Sequence, residues 1–254
     1  MLAGKKPFPR KQNEPSGRVK NRISFRRIGR SIPFLACLSE KEFREIEEVA
    51  IQKQFAKNEM ILCEDETLDF FYFVSAGKIK VVKTSSEGKE HIIAVRGQGD
   101  FFGEMGMLDG KTAPAAVIAM EPCEVALISK SDFNRLLMNN EQVLREMIIM
   151  LAKRLREAWF DLSILRKTSA ENRVRAYLDF LGKQFGVQDS RGILINLRMT
   201  HKELADCTCL SRETVSRNIL KLVKSDEILV LPGKFILLRC EWRSKCETGG
   251  GLNP

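Results

Sequence analysis

The chain has 254 residues, of which 44% are hydrophobic and 30% charged, and its formal net charge is +9 at pH 7. This composition predicts a soluble globular protein with room for two modest domains. No apolar run approaches the roughly 18 residues of a membrane span, no secretory leader is recognisable, and the seven scattered cysteines favour reduced thiols, so we expect a cytoplasmic protein with no membrane partner.

Basic residues are concentrated at the start of the chain. Residues 1–30 hold ten Lys or Arg and a single acid, whereas the net charge is −4 over residues 31–170 and +4 over residues 171–254. Several prolines lie within residues 1–30, so we predict a disordered basic arm. Such an arm either adds salt-sensitive contacts to phosphates or only solubilises the protein, and its composition fits both.

Short apolar segments separated by glycine-containing turns dominate residues 31–139. A helix from Lys41 to about Ile51 precedes them, with Ser39 and Glu42 spaced as a capping box. The strand candidates are Met60–Cys63, Phe70–Val74, Lys78–Lys83, His91–Val95, Ala116–Met120 and Val125–Ile128. Short strands at this spacing predict an antiparallel β-sandwich of the jelly-roll type.

A long helix is predicted over residues 140–167. Its apolar residues recur alternately every four and three positions and so form one narrow seam: Leu144, Ile148, Leu151, Leu155, Ala158, Leu162 and Leu165. A seam this regular favours pairing with its own copy in a twofold homodimer. The alternative is that the helix packs along its own sandwich.

Residues 168–242 read as a helical domain that ends in a hairpin. A helix is predicted from Glu171 to about Phe185, and a second helix begins at Thr200, whose capping box is completed by Glu203. Another helix opens with Ser211. The pattern is a helix-turn-helix, and the hairpin around Gly233-Lys234 resembles a two-stranded wing beside it. Residues 243–254 are predicted to be a flexible tail.

The helix that opens with Ser211 carries the most informative side chains of the sequence. Glu213 and Arg217 are four positions apart and share a face, with Arg212 one step around it. In a DNA major groove, such a face offers two guanidinium groups to guanine edges and one carboxylate to a cytosine amino group. The competing interpretation is an ordinary surface ion pair between Glu213 and Arg217, worth a few tenths of a kcal/mol, roughly.

The predicted sandwich, long helix and winged helix-turn-helix together resemble the family of bacterial transcription regulators that includes the cyclic AMP receptor protein and the fumarate-nitrate regulator. The resemblance runs from about Phe34 to Arg239. Its most specific segments are Gly99-Asp-Phe-Phe-Gly-Glu-Met105 and Leu210-Ser-Arg-Glu-Thr-Val-Ser-Arg217. It implies an α+β protein: a jelly-roll over residues 31–139, a dimerisation helix over 140–167 and a DNA-binding domain over 168–242.

The resemblance also implies roles for individual residues. Arg212, Glu213 and Arg217 would read base edges, and the hydroxyls of Thr200 and Ser211 would contact phosphates. The implied target is an inverted repeat of a TGTGA-like half-site, one or two helical turns apart. Double-stranded DNA and a second copy of the chain are the expected partners, and RNA polymerase is a further candidate.

The part of the family that binds a nucleotide is only partly matched. Gly103 and Glu104 are present, but Ala113 and Pro114 stand where nucleotide-binding relatives carry an Arg and a Ser or Thr for the phosphate. Neither residue supplies a charge or a side-chain donor, and proline also lacks a backbone N–H. The adenine-contacting Thr-Ser pair of the family corresponds to Ala158-Trp159. We therefore expect no control by cyclic AMP.

Three kinds of regulation remain open. Trp159 and Phe160 either fill the vacant pocket as core, which leaves the dimer permanently active, or line a pocket for an uncharged or aromatic effector. The third is redox or metal sensing through cysteine, although Cys207 and Cys209 lack the spacing of a metal knuckle and no cysteine precedes Cys37. Two further departures accompany these: Asp65 and Cys209 replace glycines that are usual in the family. No cofactor or metal is predicted.

Two functions from different classes therefore compete. One is a sequence-specific transcription regulator. The other is a cyclic-nucleotide-binding or other small-molecule-binding signalling module. The sequence does not support an enzymatic function. It contains no glycine-rich loop that would bind a phosphate, no cysteines and histidines at the spacing of a zinc site, and no arrangement of a nucleophile with a base.

Overall fold

A computed structural model describes residues 29–30, 32–167 and 169–242. The predicted tail of residues 243–254 and nearly all of the predicted arm lie outside these residues. The chain divides into two compact units. One contains the residues up to Ile79, Arg96–Pro114 and Ile118–Leu144, and the other contains Lys80–Val95, Ala115–Val117 and the residues from Arg145 onward.

The N-terminal half is a β-sandwich preceded by short helices. Helix α1 spans Pro33–Ala36 and α2 spans Glu40–Val49, with the predicted capping box of Ser39 and Glu42 in place. The strands are β1 (Ile51–Phe55), β2 (Met60–Leu62), β3 (Phe70–Ala76), β4 (Ile79–Thr84), β5 (Glu90–Arg96), β6 (Phe101–Phe102), β7 (Ala116–Ala119) and β8 (Cys123–Ser129). Helices α3 (Glu104–Asp109) and α4 (Lys130–Leu136) complete this part. The predicted sandwich is confirmed.

Two four-stranded sheets have the orders β1-β8-β3-β6 and β2-β7-β4-β5. In the first sheet β8 pairs antiparallel with both neighbours, and Ile51 and Tyr72 both lie opposite Leu127. A cluster of fully buried aromatic rings covers this sheet: Phe34, Phe71, Phe73, Phe101 and Phe133. The Phe71 ring stacks on Phe133 at 4.7 Å and on Phe101 at 5.3 Å between centroids. Rings of this size contribute most of the apolar area in a small core.

The long helix α5 spans Glu141–Leu165, close to the predicted range. It starts where the Asn140 side chain accepts hydrogen bonds from the backbone N–H groups of Gln142 and Val143, at 3.1 and 3.2 Å. Val143, Met147 and Ile164 are buried. Along the part of the chain that the structure describes, no helix is long and apolar enough to cross a membrane.

The C-terminal part contains the predicted helix-turn-helix. Its elements are α6 (Ala170–Phe185), β9 (Gly186–Asp189), β10 (Gly192–Ile195), α7 (His201–Thr208), α8 (Arg212–Lys224), β11 (Ile228–Leu231) and β12 (Phe235–Arg239). The helices share a core with the hairpin, formed by Val174, Leu178, Leu181, Leu204, Val215, Ile219, Leu222, Leu237 and Leu238. The helix predictions for this region are confirmed.

The predicted two-stranded hairpin is confirmed, and it is part of a larger sheet. The hairpin β11-β12 belongs to a four-stranded sheet with the order β11-β12-β10-β9. Strand β12 pairs with β10 as well as with β11, so that Leu237 lies opposite both Leu194 and Leu229. Strands β9 and β10 were both missed; β9 is short and largely exposed, so its residues show no apolar alternation.

Candidate nucleic-acid interface and effector pocket

Helix α8 presents the three predicted base-reading side chains on its exposed side. Val215, Ile219 and Leu222 are buried, which turns the opposite side of the helix outward. Arg212, Glu213 and Arg217 are all exposed. Together with Ser216, Leu220, Lys221 and Lys224 they line one open surface concavity of about 600 Å³. The structure therefore brings the three side chains together where a large partner can reach them.

The three predicted base-reading side chains of α8 do not form ion pairs with one another. Among the residues that the structure describes, no ion pair joins Glu213 to Arg217, so the surface ion pair considered above is absent. The backbone N–H of Glu213, the Ser211 hydroxyl and the nearby Arg212 lower the pKa of the Glu213 carboxyl. Glu213 is therefore a carboxylate acceptor at neutral pH, and the two guanidinium groups keep their donors for an external partner.

The hydroxyls of Thr200 and Ser211 hold the two helices in place. Thr200 accepts a hydrogen bond from the Glu203 backbone N–H at 3.1 Å, and its hydroxyl donates to the Glu203 carboxylate at 2.8 Å. Ser211 accepts from the Thr214 backbone N–H and donates to the Thr214 hydroxyl at 3.0 Å. Both hydroxyl oxygens thus cap the N-termini of their helices. Contact of these hydroxyls with phosphates stays a prediction.

The corner between α7 and α8 is formed by Cys209. Its backbone is left-handed, with φ 51° and ψ 44°, which is a strained conformation for a residue other than glycine. Cys207 lies in α7 just before the corner, and burial raises the pKa of its thiol, so it stays protonated. The Cys209 sulfur is 3.8 Å from Nδ1 of His91. No cluster of three or more potential metal ligands occurs among the described residues.

A contact between α7 and α8 was not anticipated from the sequence. Nδ1 of His201, the first residue of α7, lies 2.7 Å from the hydroxyl oxygen of Ser216 on α8. Both residues lie on the side of the domain that carries Arg212. No pattern in the sequence indicated this pair, because the two residues are 15 positions apart and each is unremarkable in its own helix.

The turn of the wing is also basic. Gly233 and Lys234 both have positive φ, of 78° and 66°, as the turn of a tight hairpin requires. The Arg198 guanidinium lies 5.0 Å from the centre of the Phe235 ring, a cation–π contact that positions it beside the hairpin. Arg198 and Lys234 are exposed. The hairpin thus adds cations to the side of the domain that presents α8.

The predicted seam of α5 is largely uncovered in a single chain. Ile148, Leu155 and Leu162 are 66%, 53% and 59% exposed. Ala158 is exposed too, and Leu144, Leu151 and Leu165 are half-buried. Large aliphatic side chains on one helix face are rarely left in water unless a partner covers them.

The effector pocket is predicted from Gly103, Glu104, Ala113 and Pro114, and the structure gives the surroundings of Ala113. Ala113 is 1% exposed. Its backbone N–H donates to the Glu66 carbonyl at 2.8 Å, and its carbonyl accepts from the Asp65 N–H at 2.9 Å. Asp65 has φ 64°, which explains why glycine is usual at its position. The backbone donor of Ala113 is therefore engaged, and the side chain offers none.

Gly103 and Glu104 lie at the start of α3, where Gly103 has a left-handed backbone. Gly103 has φ +84°, and a Cβ there would lie 2.9 Å from the Tyr72 ring, so that no other residue fits. Glu104 follows it as the first residue of α3 and is buried. An effector pocket at these residues stays a prediction.

The structure of a single chain gives the surroundings of Trp159 and Phe160, and their place in an effector pocket stays a prediction. Trp159 is 62% exposed, because it lies next to the seam on the uncovered side of α5. Phe160 stacks instead on Phe180 of α6, with 5.4 Å between ring centroids. The apolar pattern of a helix does not show which of its sides a second element covers, so the sequence did not indicate the contact between Phe160 and Phe180.

Comparison with known proteins identifies relatives for both halves of the chain. Residues 52–140 match the family described as cyclic nucleotide-binding domain, and residues 172–241 match the Crp-like helix-turn-helix domain. The chain is 35% identical to the cyclic AMP receptor protein of Thermus thermophilus, over 64% of this chain and 72% of that protein. It is 31% identical to the cAMP-activated global transcriptional regulator CRP of Pasteurella multocida, over 68% and 82% of the two chains.

Solved structures show the same architecture. FixK2 from Bradyrhizobium japonicum superposes with a TM-score of 0.70 at 26% identity, over 81% of this chain and 100% of that one. The c-di-GMP responsive global regulator CLP of Xanthomonas campestris superposes with a TM-score of 0.67 at 22% identity, over 79% of this chain and 99% of that one. The second likeness concerns the fold alone.

Proposed function

Because the chain belongs to the family of Crp-like DNA-binding transcription regulators, which are not enzymes, we propose that it acts as a homodimer on an inverted repeat of a TGTGA-like half-site, independently of cyclic AMP. In this proposal residues 31–139 form the effector-type domain, 140–167 the dimerisation helix and 168–242 the DNA-binding domain. The protein works in the cytoplasm with DNA and its own copy as partners, and RNA polymerase is a further candidate partner.

The observation that carries the proposal is that Arg212, Glu213 and Arg217 are exposed together on one side of α8. Arg212 and Arg217 donate to guanine O6 and N7, and the Glu213 carboxylate accepts from a cytosine amino group. The lowered pKa of Glu213 supports its role as an acceptor. The wing cations Arg198 and Lys234 lie on the same side of the domain and supply contacts that do not depend on sequence.

Dimerisation follows from the uncovered seam of α5. Two copies related by a twofold axis bury Ile148, Leu155 and Leu162 against each other, and Trp159 borders this interface. A twofold dimer carries two α8 helices in opposite orientations. Its target is therefore an inverted repeat, with half-sites about one or two helical turns apart.

Independence of cyclic AMP is supported by the residues at the phosphate position. Ala113 is buried and its backbone N–H is engaged, and Pro114 has no N–H. A phosphodiester anion placed there would lose its water without gaining a cation or a donor, which is strongly unfavourable. Two forms of regulation stay open: a constitutively active dimer, or control by another signal such as an uncharged effector or thiol oxidation.

The competing function is a cyclic-nucleotide-binding signalling module, which the match of residues 52–140 to the cyclic nucleotide-binding domain favours. The names of the relatives do not decide between the two. The Pasteurella multocida relative is described as cAMP-activated, whereas CLP, which shares the fold, is described as responsive to c-di-GMP. The nucleotide itself must therefore be tested on this chain.

Fluorescence anisotropy with a labelled duplex distinguishes these functions. The duplex carries an inverted TGTGA-like repeat, a scrambled duplex serves as control, and both are titrated at physiological salt with and without cyclic AMP. We expect tight binding to the repeat, at least about a thousandfold weaker binding to the scrambled duplex, and no effect of the nucleotide. Equal binding to both duplexes, with measurable cyclic AMP affinity by calorimetry, supports the signalling module instead.

A further inference from the structure

A second concavity beside α8 is rich in cations and contains one histidine. Its volume is about 450 Å³, and it is lined by Met199, Thr200, His201, Lys202, Arg212, Val230, Lys234 and Ile236. The cations come from three elements: Lys202 from α7, Arg212 from α8 and Lys234 from the turn between β11 and β12. No carboxylate is among its lining residues, and the nearby Glu203 is turned to cap Thr200.

We infer that this concavity binds a phosphodiester of the DNA backbone and that His201 binds it as an imidazolium, so that DNA binding takes up one proton from solvent. The inference rests on the proposed function, because it names a backbone contact next to the base-reading side of α8. Arg212 lies at the boundary, since it lines both concavities.

The geometry of His201 suits this role. Its Nδ1 is 2.7 Å from the Ser216 hydroxyl, which fixes the ring and leaves Nε2 as the nitrogen for a ligand. In the imidazolium both ring nitrogens donate. Nδ1–H then donates to the Ser216 oxygen and Nε2–H to a phosphate oxygen, with Lys202 and Lys234 beside it.

In the free protein the same surroundings keep the imidazole neutral. Partial burial, followed by the positive charges of Arg212 and Lys234, lowers the pKa of His201 from its ordinary value of 6.5. A phosphate in the concavity raises the pKa of His201, because its negative charge offsets the positive charges of Arg212 and Lys234 and stabilises the charged ring. The pKa is therefore higher in the complex than in free protein.

The sign of the pH dependence follows from this difference. The complex holds more protons than the free protein at pH values between the two pKa values of His201, so DNA affinity rises as the pH falls through that window. One proton allows at most about a tenfold change in affinity per pH unit. The window begins below 6.5, where the free imidazole protonates, and extends upward to the pKa in the complex.

The chain offers a matched control, because His91 and His201 are its only histidines. The dissociation constant of the full chain for the repeat duplex is measured from pH 6 to pH 8 at constant salt, for the wild type and for His201→Gln, His201→Arg and His91→Gln. We expect the wild type and His91→Gln to bind at least about fivefold more tightly at pH 6 than at pH 8. His201→Gln should bind weakly and His201→Arg tightly, each with a nearly flat profile.

Calorimetry in buffers of different ionisation enthalpy counts the protons directly, with about one taken up by the wild type near pH 6.5 and none by His201→Gln. If His201→Gln keeps the pH profile of the wild type, or the wild type takes up no proton, the inference is overturned while the DNA-reading function stands. If no variant distinguishes the repeat from a scrambled duplex, it is the proposed function that has failed.

Discussion

The uncovered seam of α5 allows a quantitative prediction for Leu155→Ala. Leu155 is 53% exposed in one chain, and full burial of a leucine side chain is worth about 1.5–3 kcal/mol. Dimerisation therefore gains about half of that from each copy. Truncating both copies should weaken the dimer by about 1.5–3 kcal/mol, which raises its dissociation constant about 10- to 150-fold. The stability of the monomer should fall by no more than about 0.7–1.5 kcal/mol, since about half of the side chain is already buried there.

Sedimentation velocity over a concentration series measures the dimer dissociation constant of the full chain, and thermal unfolding checks the monomer. Val187→Ala is the matched control, because Val187 is also an exposed apolar residue, 50% accessible, but lies on β9. It should leave the dimer unchanged. A wild type that stays monomeric at micromolar concentration refutes the reasoning. So does a Leu155→Ala dimer as tight as that of Val187→Ala.

Three further predictions concern the arm, the helix-turn-helix corner and the effector pocket. Deletion of residues 1–30 should weaken binding to all duplexes and lower the slope of log K against log salt by about 0.9 for each phosphate that the arm neutralises in the wild type; an unchanged slope means that the arm does not touch DNA. Cys209→Gly should raise the unfolding free energy by about 0.5–1 kcal/mol, measured with urea, because glycine relieves the left-handed strain; a decrease in stability contradicts this. Titration calorimetry with cyclic AMP should give no heat of binding, and a dissociation constant in the micromolar range shows that Ala113 and Pro114 do not exclude the phosphate.

Most of the fold could be predicted because local signals were strong. Capping boxes at Ser39 and Thr200 marked helix starts that the structure confirms. Glycine-containing turns separated the strands of the sandwich. Several elements were missed, among them β1, α4 and β10. Two of the missed elements have weak local patterns: α3 is a six-residue helix with a glycine inside it, and β9 is exposed at the edge of its sheet. Strand β9 forms because β10 provides its hydrogen-bond partners, which a pattern in sequence does not register.

Some features of the candidate site could be predicted from the sequence, and others could not. Periodicity was enough to place Arg212, Glu213 and Arg217 on one side of α8, since three positions on one helix depend only on helical geometry. The sequence could not show that Trp159 is exposed or that His201 meets Ser216, because both depend on how separate helices pack. The hydroxyls of Thr200 and Ser211 have two interpretations, as N-caps and as phosphate contacts. The structure shows both caps, and the phosphate contacts stay a prediction.

The central claim is that the exposed side of α8 reads base edges, and a binding selection from a pool of random duplexes tests it most directly. The wild-type chain should enrich an inverted repeat of a TGTGA-like half-site, and Arg217→Ala should enrich the same repeat with one base pair in each half-site degenerate, at a cost of about 1–3 kcal/mol. If the wild type enriches no common sequence, or if Arg217→Ala enriches the unaltered repeat with undiminished affinity, the assignment of α8 as the reading helix is contradicted.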